Sequence, residues 1–197
     1  MIEREAVRAL ALVGLPGSGK TTVGRQLARR LGVDFIDTDA VIEQHLGESI
    51  RSFFEREGED RFRDVETEVL LGLIAGLPAG GAPAVLSTGG GIVLRPANRA
   101  ALASAAATLY LRSSPEELFR RLRHDTQRPL LQVADPLKKL RDLFHVRDPL
   151  YRETAAFVIE TGRPSVATLV NMILMQVELA GLVDPAIVPS PVEPRPA

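Results

Sequence analysis

Between Gly14 and Thr21 the chain reads Gly-Leu-Pro-Gly-Ser-Gly-Lys-Thr, and no other stretch limits its folds so sharply. Gly14, Gly17 and Gly19 admit backbone conformations closed to other residues, so successive N–H groups can turn inward on one anion. The apolar run Ala9–Val13 ahead of the loop reads as a buried strand. The amphipathic stretch 21–31 behind it reads as a helix, whose positive end points at the same place. Strand, glycine-rich loop and helix in that order form a phosphate cradle of the G-x-x-x-x-G-K-[ST] kind. Gly17, Ser18, Gly19, Lys20, Thr21 and Thr22 are the expected ATP contacts. Lys20 reaches the β- and γ-phosphates, and the Thr21 hydroxyl takes a position on Mg²⁺.

Further β-leaning runs stand at 33–36, 84–86, 108–111 and 157–159, separated by helical patterns. That alternation predicts an α/β chain: a five-stranded parallel sheet with helices on both faces, a three-layer sandwich. Ser114-Pro115-Glu116-Glu117 predicts a helix start with Ser at the N-cap, Pro at the first helical position and Glu closing a capping box. The segment 50–77 is helical in pattern without a strand, and reads as an inserted helical subdomain. The irregular, charged stretch 124–136, with two prolines, reads as a mobile loop. We therefore expect one domain over 1–182, with a substrate-binding insertion at about 39–66 and a lid at about 123–137. A Pro-rich tail over 183–197 is expected to stay extended and disordered.

A formal net charge of −1 provides no general field for nucleic acid or anionic membrane. The absence of cysteine excludes disulfides and thiolate metal sites. The N-terminus MIEREAVRAL lacks the pattern of a secretory signal, and no stretch approaches the ~20 apolar residues of a membrane span. The expectation is a cytoplasmic protein, monomeric, with no nucleic-acid or membrane partner.

A phosphate cradle does not separate a kinase from a GTPase, a motor or a regulator. Many such proteins place a metal-binding Asp after a later strand, yet the strand at 84–86 runs into Ser87-Thr88-Gly89-Gly90-Gly91. Acids follow the second strand instead, in Asp37-Thr38-Asp39. One can reach the magnesium shell while the next faces an acceptor hydroxyl. Equally, Asp37 or Thr38 can cap the following helix, with Asp39 in its first turn. Gly89, Gly90 and Gly91 offer a flat, side-chain-free surface for a second substrate, or a plain flexible connection. Arg63 can form a surface ion pair with Glu66, Arg147 can end a helix, and Arg128 can be solvated. Alternatively, two of these arginines clamp a carboxylate through planar hydrogen bonds and a third neutralises the γ-phosphate.

Taken in order, GLPGSGKT, FIDTDAVIE, GESIRSFFEREGEDRFRDVE, STGGG, RPLL and RDPLY resemble the shikimate kinase family over about 10–179. The resemblance implies roles position by position. Asp39 binds the shikimate hydroxyls, including the 3-hydroxyl that is phosphorylated. Arg63 and Arg147 hold the shikimate carboxylate, with Gly89, Gly90 and Gly91 beside the ring. Thr21 stands in the inner magnesium shell and Asp37 in the outer one. Arg128 is the lid arginine near the transferring phosphate, and Arg121 and Arg163 are contacts on the adenine side. Phe53 replaces a branched aliphatic, a change of packing.

Transfer of this kind passes through a loose transition state, so catalysis rests on positioning and charge neutralisation by Lys20, Mg²⁺ and Arg128. Asp39 orients the hydroxyl and accepts its proton late. The rivals are a related kinase for another polyol acid or a nucleotide, such as a gluconate or nucleoside monophosphate kinase, and a non-catalytic nucleotide-binding regulator. Lys20→Ala and Arg128→Ala are expected to lower turnover far more than Asp39→Asn lowers ATP affinity. Steady-state kinetics paired with nucleotide titration checks this ordering.

Overall fold

The computed structural model describes residues 7–78, 83–123, 133–162 and 164–183. Strand β1 (Ala9–Val13) is buried along its whole length. It lies between β3 (Ala84–Ser87) and β4 (Ala106–Arg112), parallel to both. With β2 (Phe35–Asp37) and β5 (Phe157–Glu160) the sheet runs β2-β3-β1-β4-β5, every pairing parallel. A parallel sheet is covered on both faces, which is why its central strand is apolar throughout rather than alternating.

The two-residue period of β1 divides its side chains between two cores. Leu10 and Leu12 enter a cluster with Val23 and Leu27 of helix α1 (Lys20–Leu31) and Val170, Ile173 and Val177 of a C-terminal helix, Val166–Leu179. Ala9, Ala11 and Val13 face the opposite cluster, with Leu86, Ile92, Leu102, Tyr110, Leu118 and Tyr151. A third cluster, at the β2 end, joins Ile42 of α2 (Thr38–Leu46) to Phe53, Phe62, Val65 and Val69 of α3 (Ile50–Gly76). Phe53 fills space there, 7% exposed.

The later helices are α4 (Pro96–Ala105), α5 (Pro115–Leu122), α6 (Pro136–Thr154) and α7, the Val166–Leu179 helix already named. The capping box at Ser114 and Glu117 is present in full. The strands differ from expectation at their polar ends. β3, β4 and β5 extend through Ser87, Arg112 and Glu160, because ladder hydrogen bonds follow the backbone rather than side-chain polarity. Helix α3 matches the expected helical stretch, but Gly58 (φ 83°, ψ 177°) breaks it into two. Arg147 does not end a helix: it lies inside α6, which continues past Pro149 to Thr154. The expected lid and the Pro-rich tail fall largely on 124–132 and 184–197, outside the described residues, as do Arg128 and Arg163. Among the described residues no helix is long and apolar enough to cross a membrane.

Register decides where ligands can bind. Ser87 pairs with Leu12 on one side and Asp37 on the other, so β1, β2 and β3 finish together. The glycine-rich loop, the acidic turn and the triple glycine all leave the sheet at that carboxyl edge, where ligands settle in open α/β sheets. The approach of α1 to the sheet needs a missing side chain. A Cβ on Gly24 would come within 2.8 Å of Phe35 and 2.9 Å of Leu12. Gly24→Val is therefore expected to cost about 1–3 kcal/mol by overpacking. Urea denaturation would read this as a lower midpoint with an unchanged m-value.

Candidate active site

The glycine-rich loop leaves β1 at Gly14, where a Cβ would strike the Leu111 carbonyl at 2.6 Å. It enters α1 through Gly19, left-handed at φ 96°. Lys20 is 8% exposed and folds back along the loop, Nζ donating to the Gly14 and Leu15 carbonyls at 2.9 and 3.0 Å. Its charge is thus held at the mouth of the cradle. The Ser18 hydroxyl is buried and has no hydrogen-bond partner among the described residues. A donor left in that condition suits an incoming phosphate oxygen.

Asp37 caps a helix and reaches the phosphate loop. Oδ1 accepts from the Asp39 amide at 3.2 Å and caps α2, while Oδ2 accepts from the Thr21 hydroxyl at 3.1 Å. The Thr21 oxygen also lies 3.3 Å from Ser87 Oγ. Three hard oxygens from three segments meet beside the cradle.

Each of the three glycines makes room for something different. A Cβ on Gly89 would stand 2.7 Å from Asp39 Oδ1 and 3.1 Å from Glu66 Oε1. On Gly90 it would meet Pro16 Cδ at 2.7 Å, and on Gly91 it would overlap the Arg63 guanidinium. The run is therefore a partition between the phosphate loop and the α2–α3 side, rather than a flexible connection.

Arg63 and Glu66 are paired at 2.7 Å, but not on the surface: they are 9% and 2% exposed. The helix face that carries them turns under Gly91. Burying both charges is tolerable because they satisfy each other, and Glu59 adds a contact at 3.2 Å. Burial pushes the Glu66 carboxyl up, with the Arg63 guanidinium opposing. Asp39 is likewise pushed above its ordinary 3.8, by burial first and by the Asp37 charge second, against Lys20 and Arg63. The residue is nevertheless exposed to solvent, so its carboxylate is crowded by protein but open to the cleft.

From the other side, Arg147 Nη1 donates to the Gly90 carbonyl at 3.0 Å, and the Tyr151 hydroxyl donates to the same oxygen. Arg121, at the end of α5, reaches the Thr161 carbonyl and, at 3.3 Å, Ser113 Oγ. Glu117 of the capping box occupies the space beside Gly162, fixing the turn after β5 against α5.

Residues 16–178 match the family model described as Shikimate kinase. The chain belongs to the shikimate kinase family. The shikimate kinase of Paracidovorax citrulli is 58% identical over 180 residues, 90% of this chain and 96% of that protein. A solved structure, shikimate kinase from Acinetobacter baumannii in complex with shikimate, is 42% identical with a TM-score of 0.80, covering 92% of this chain and 98% of that one. A gluconokinase from Sinorhizobium meliloti shares the fold, at 18% identity and a TM-score of 0.52 over 89% of this chain and 94% of that one.

In this shikimate kinase family member the structure brings together Lys20, Thr21, Asp37, Asp39, Arg63, the three glycines and Arg147, and sets Arg121 on the far side of the loop. Sequence reasoning missed Ser87, the role of Glu66 as a buried partner, and Tyr151. Ser87 had a signal: it ends an apolar strand where an acid was sought. Glu66 and Tyr151 had none beyond helical spacing. Because Gly91 lies against the Arg63 guanidinium, Gly91→Ala is expected to displace that group and weaken shikimate binding by at least about tenfold. The ATP KM should stay near wild type; calorimetry with each ligand separates the two.

Proposed function

We propose that this kinase transfers the γ-phosphoryl of ATP to the 3-hydroxyl of shikimate using groups carried on the two sides of the Gly89–Gly91 partition. The activity is that of the family, a step in aromatic amino-acid and chorismate synthesis. The observation that carries the residue assignment is the partition itself: Pro16 of the phosphate loop touches Gly90 on one side, and Asp39 and Arg63 touch Gly89 and Gly91 on the other. A donor and an acceptor bound beside this bare backbone have no side chain of the run between them, which permits close, in-line approach.

On the donor side, the amides from Gly17 to Thr22 cradle the triphosphate and Lys20 swings from the loop carbonyls to its terminal phosphates. Arg121 and Arg163 bound the adenine, and Arg128 neutralises charge on the transferring group. Thr21 and Asp37, with Ser87 beside them, are a hard-oxygen set that fits Mg²⁺ ligation together with phosphate oxygens. When bound, Mg²⁺ would supply charge neutralisation on the β- and γ-oxygens.

On the acceptor side, Arg63 and Arg147 take the shikimate carboxylate through planar hydrogen bonds. Asp39 accepts a hydrogen bond from the reacting hydroxyl, orients it and takes its proton late. Its raised pKa suits that exchange, since a proton acceptor should not be too weak a base. A monomer is the expected catalytic unit. The balanced charge and the use of ATP support a cytoplasmic location without nucleic acid or membrane.

Gluconate and nucleoside monophosphates are the acceptors that test the reading against its rivals. In an assay coupled to ADP release, shikimate should give a kcat/KM well above either, and ATP turnover with no acceptor at all would contradict the assignment. Asp39→Asn should lower kcat by about 10²–10⁴-fold while ATP affinity holds. In the unmodified enzyme, activity should fall as pH drops through the raised Asp39 pKa. The acid limb of kcat/KM for shikimate therefore lies above 3.8 rather than at it.

A further inference from the structure

The Gly90 carbonyl accepts from two donors one turn apart on α6, Arg147 Nη1 at 3.0 Å and the Tyr151 hydroxyl. The two donors differ in freedom. Tyr151 is fully buried, and its ring lies 4.8 Å from that of Tyr110 at an interplanar angle of 30°. The Tyr110 hydroxyl donates to Asp148 Oδ1 at 2.8 Å, and Arg112 Nε donates to the same oxygen at 2.9 Å. Arg152 Nε donates to Asp148 Oδ2 at 2.8 Å, and Arg112 continues to Glu160 of β5 at 2.9 Å. Helix α6 is thereby pinned to the ends of β4 and β5, and Tyr151 cannot turn away. Arg147 is half-buried on a long, rotatable stem, and the acceptor carboxylate lies within its task.

An arginine that engages that carboxylate must leave or share the Gly90 carbonyl. While Tyr151 remains, the carbonyl keeps one donor and the release is cheap. Without the tyrosine hydroxyl, each acceptor bound would orphan a part-buried carbonyl or keep Arg147 tied to it. We propose that Tyr151 is a positioning residue for acceptor binding: its hydroxyl holds the Gly90 carbonyl so that Arg147 is free for the shikimate carboxylate. The inference rests on the reading of Arg147 as a carboxylate clamp.

Tyr151→Phe keeps the ring and its stacking and removes only the hydroxyl. Made alone, Arg147→Ala alone, and the two together, these variants form a cycle read as kcat, KM for shikimate, KM for ATP and thermal midpoint. Tyr151→Phe is expected to raise the shikimate KM about tenfold, with kcat and the ATP KM within about twofold of wild type. In the Arg147→Ala background the same change should leave kcat/KM for shikimate unaltered, because no guanidinium remains to be released. An unchanged shikimate KM in Tyr151→Phe overturns the proposal, as does an equal penalty in both backgrounds. So does a fall in kcat and ATP affinity together with the thermal midpoint, which is what a merely structural tyrosine would give. If Arg147→Ala alone leaves shikimate kinetics intact, the clamp reading fails first and takes this inference with it.

Discussion

Backbone with no side chain, held between the phosphate loop and a charged wall, is the constraint on which the cleft depends. Gly89, Gly90 and Gly91 each lie so close to a neighbour that even a methyl group would collide with Asp39, Pro16 or Arg63. Close-packed interiors are not continuously deformable, so such contacts set the distance between the phosphate loop and the α2–α3 side. The run is held in place through its carbonyls and amides. Gly90 O takes donors from α6, and Gly89 N donates to the Thr38 hydroxyl at 3.3 Å.

Most of the charges around that run are matched by a partner. Arg63 is matched by Glu66 and Glu59, Asp37 takes the Thr21 hydroxyl, and Lys20 rests on loop carbonyls. The groups proposed to meet substrate are thus occupied by one another, and binding there would exchange partners rather than expose bare charges. Asp39 is the exception in character: open to the cleft yet crowded by protein, beside Asp37, and raised in pKa by that desolvation and that charge. A carboxylate made costly in this way is ready to accept a proton, a property structure alone confers, since a free Asp would lie near 3.8.

Much of the fold was legible because its signals are local. The apolar run of β1, the loop glycines, and the Ser114 to Glu117 capping box act over a few residues, and the structure places them as their physics requires. Boundaries set by pairing were less legible: Ser87, Arg112 and Glu160 are polar, yet the ladder includes them. Helical periodicity also carried no mark of Gly58 as a break, since a single glycine is tolerated within helices.

By itself the sequence determined the strand, glycine-rich loop and helix of a phosphate cradle, because the conformational freedom of glycine and the order of those elements are encoded within about twenty residues. Its ordered motifs also pointed to the family. Only the tertiary structure decided which charges are buried and which backbone atoms are shared. Spacing of three residues makes Arg63 and Glu66 neighbours on any helix. Whether that face meets water or the underside of Gly91 depends on how α3 packs against the sheet edge. Likewise Tyr151 and Gly90 are 61 residues apart in sequence. Their hydrogen bond exists because α6 is pinned across the sheet end by Asp148, a contact between segments that local patterning cannot express.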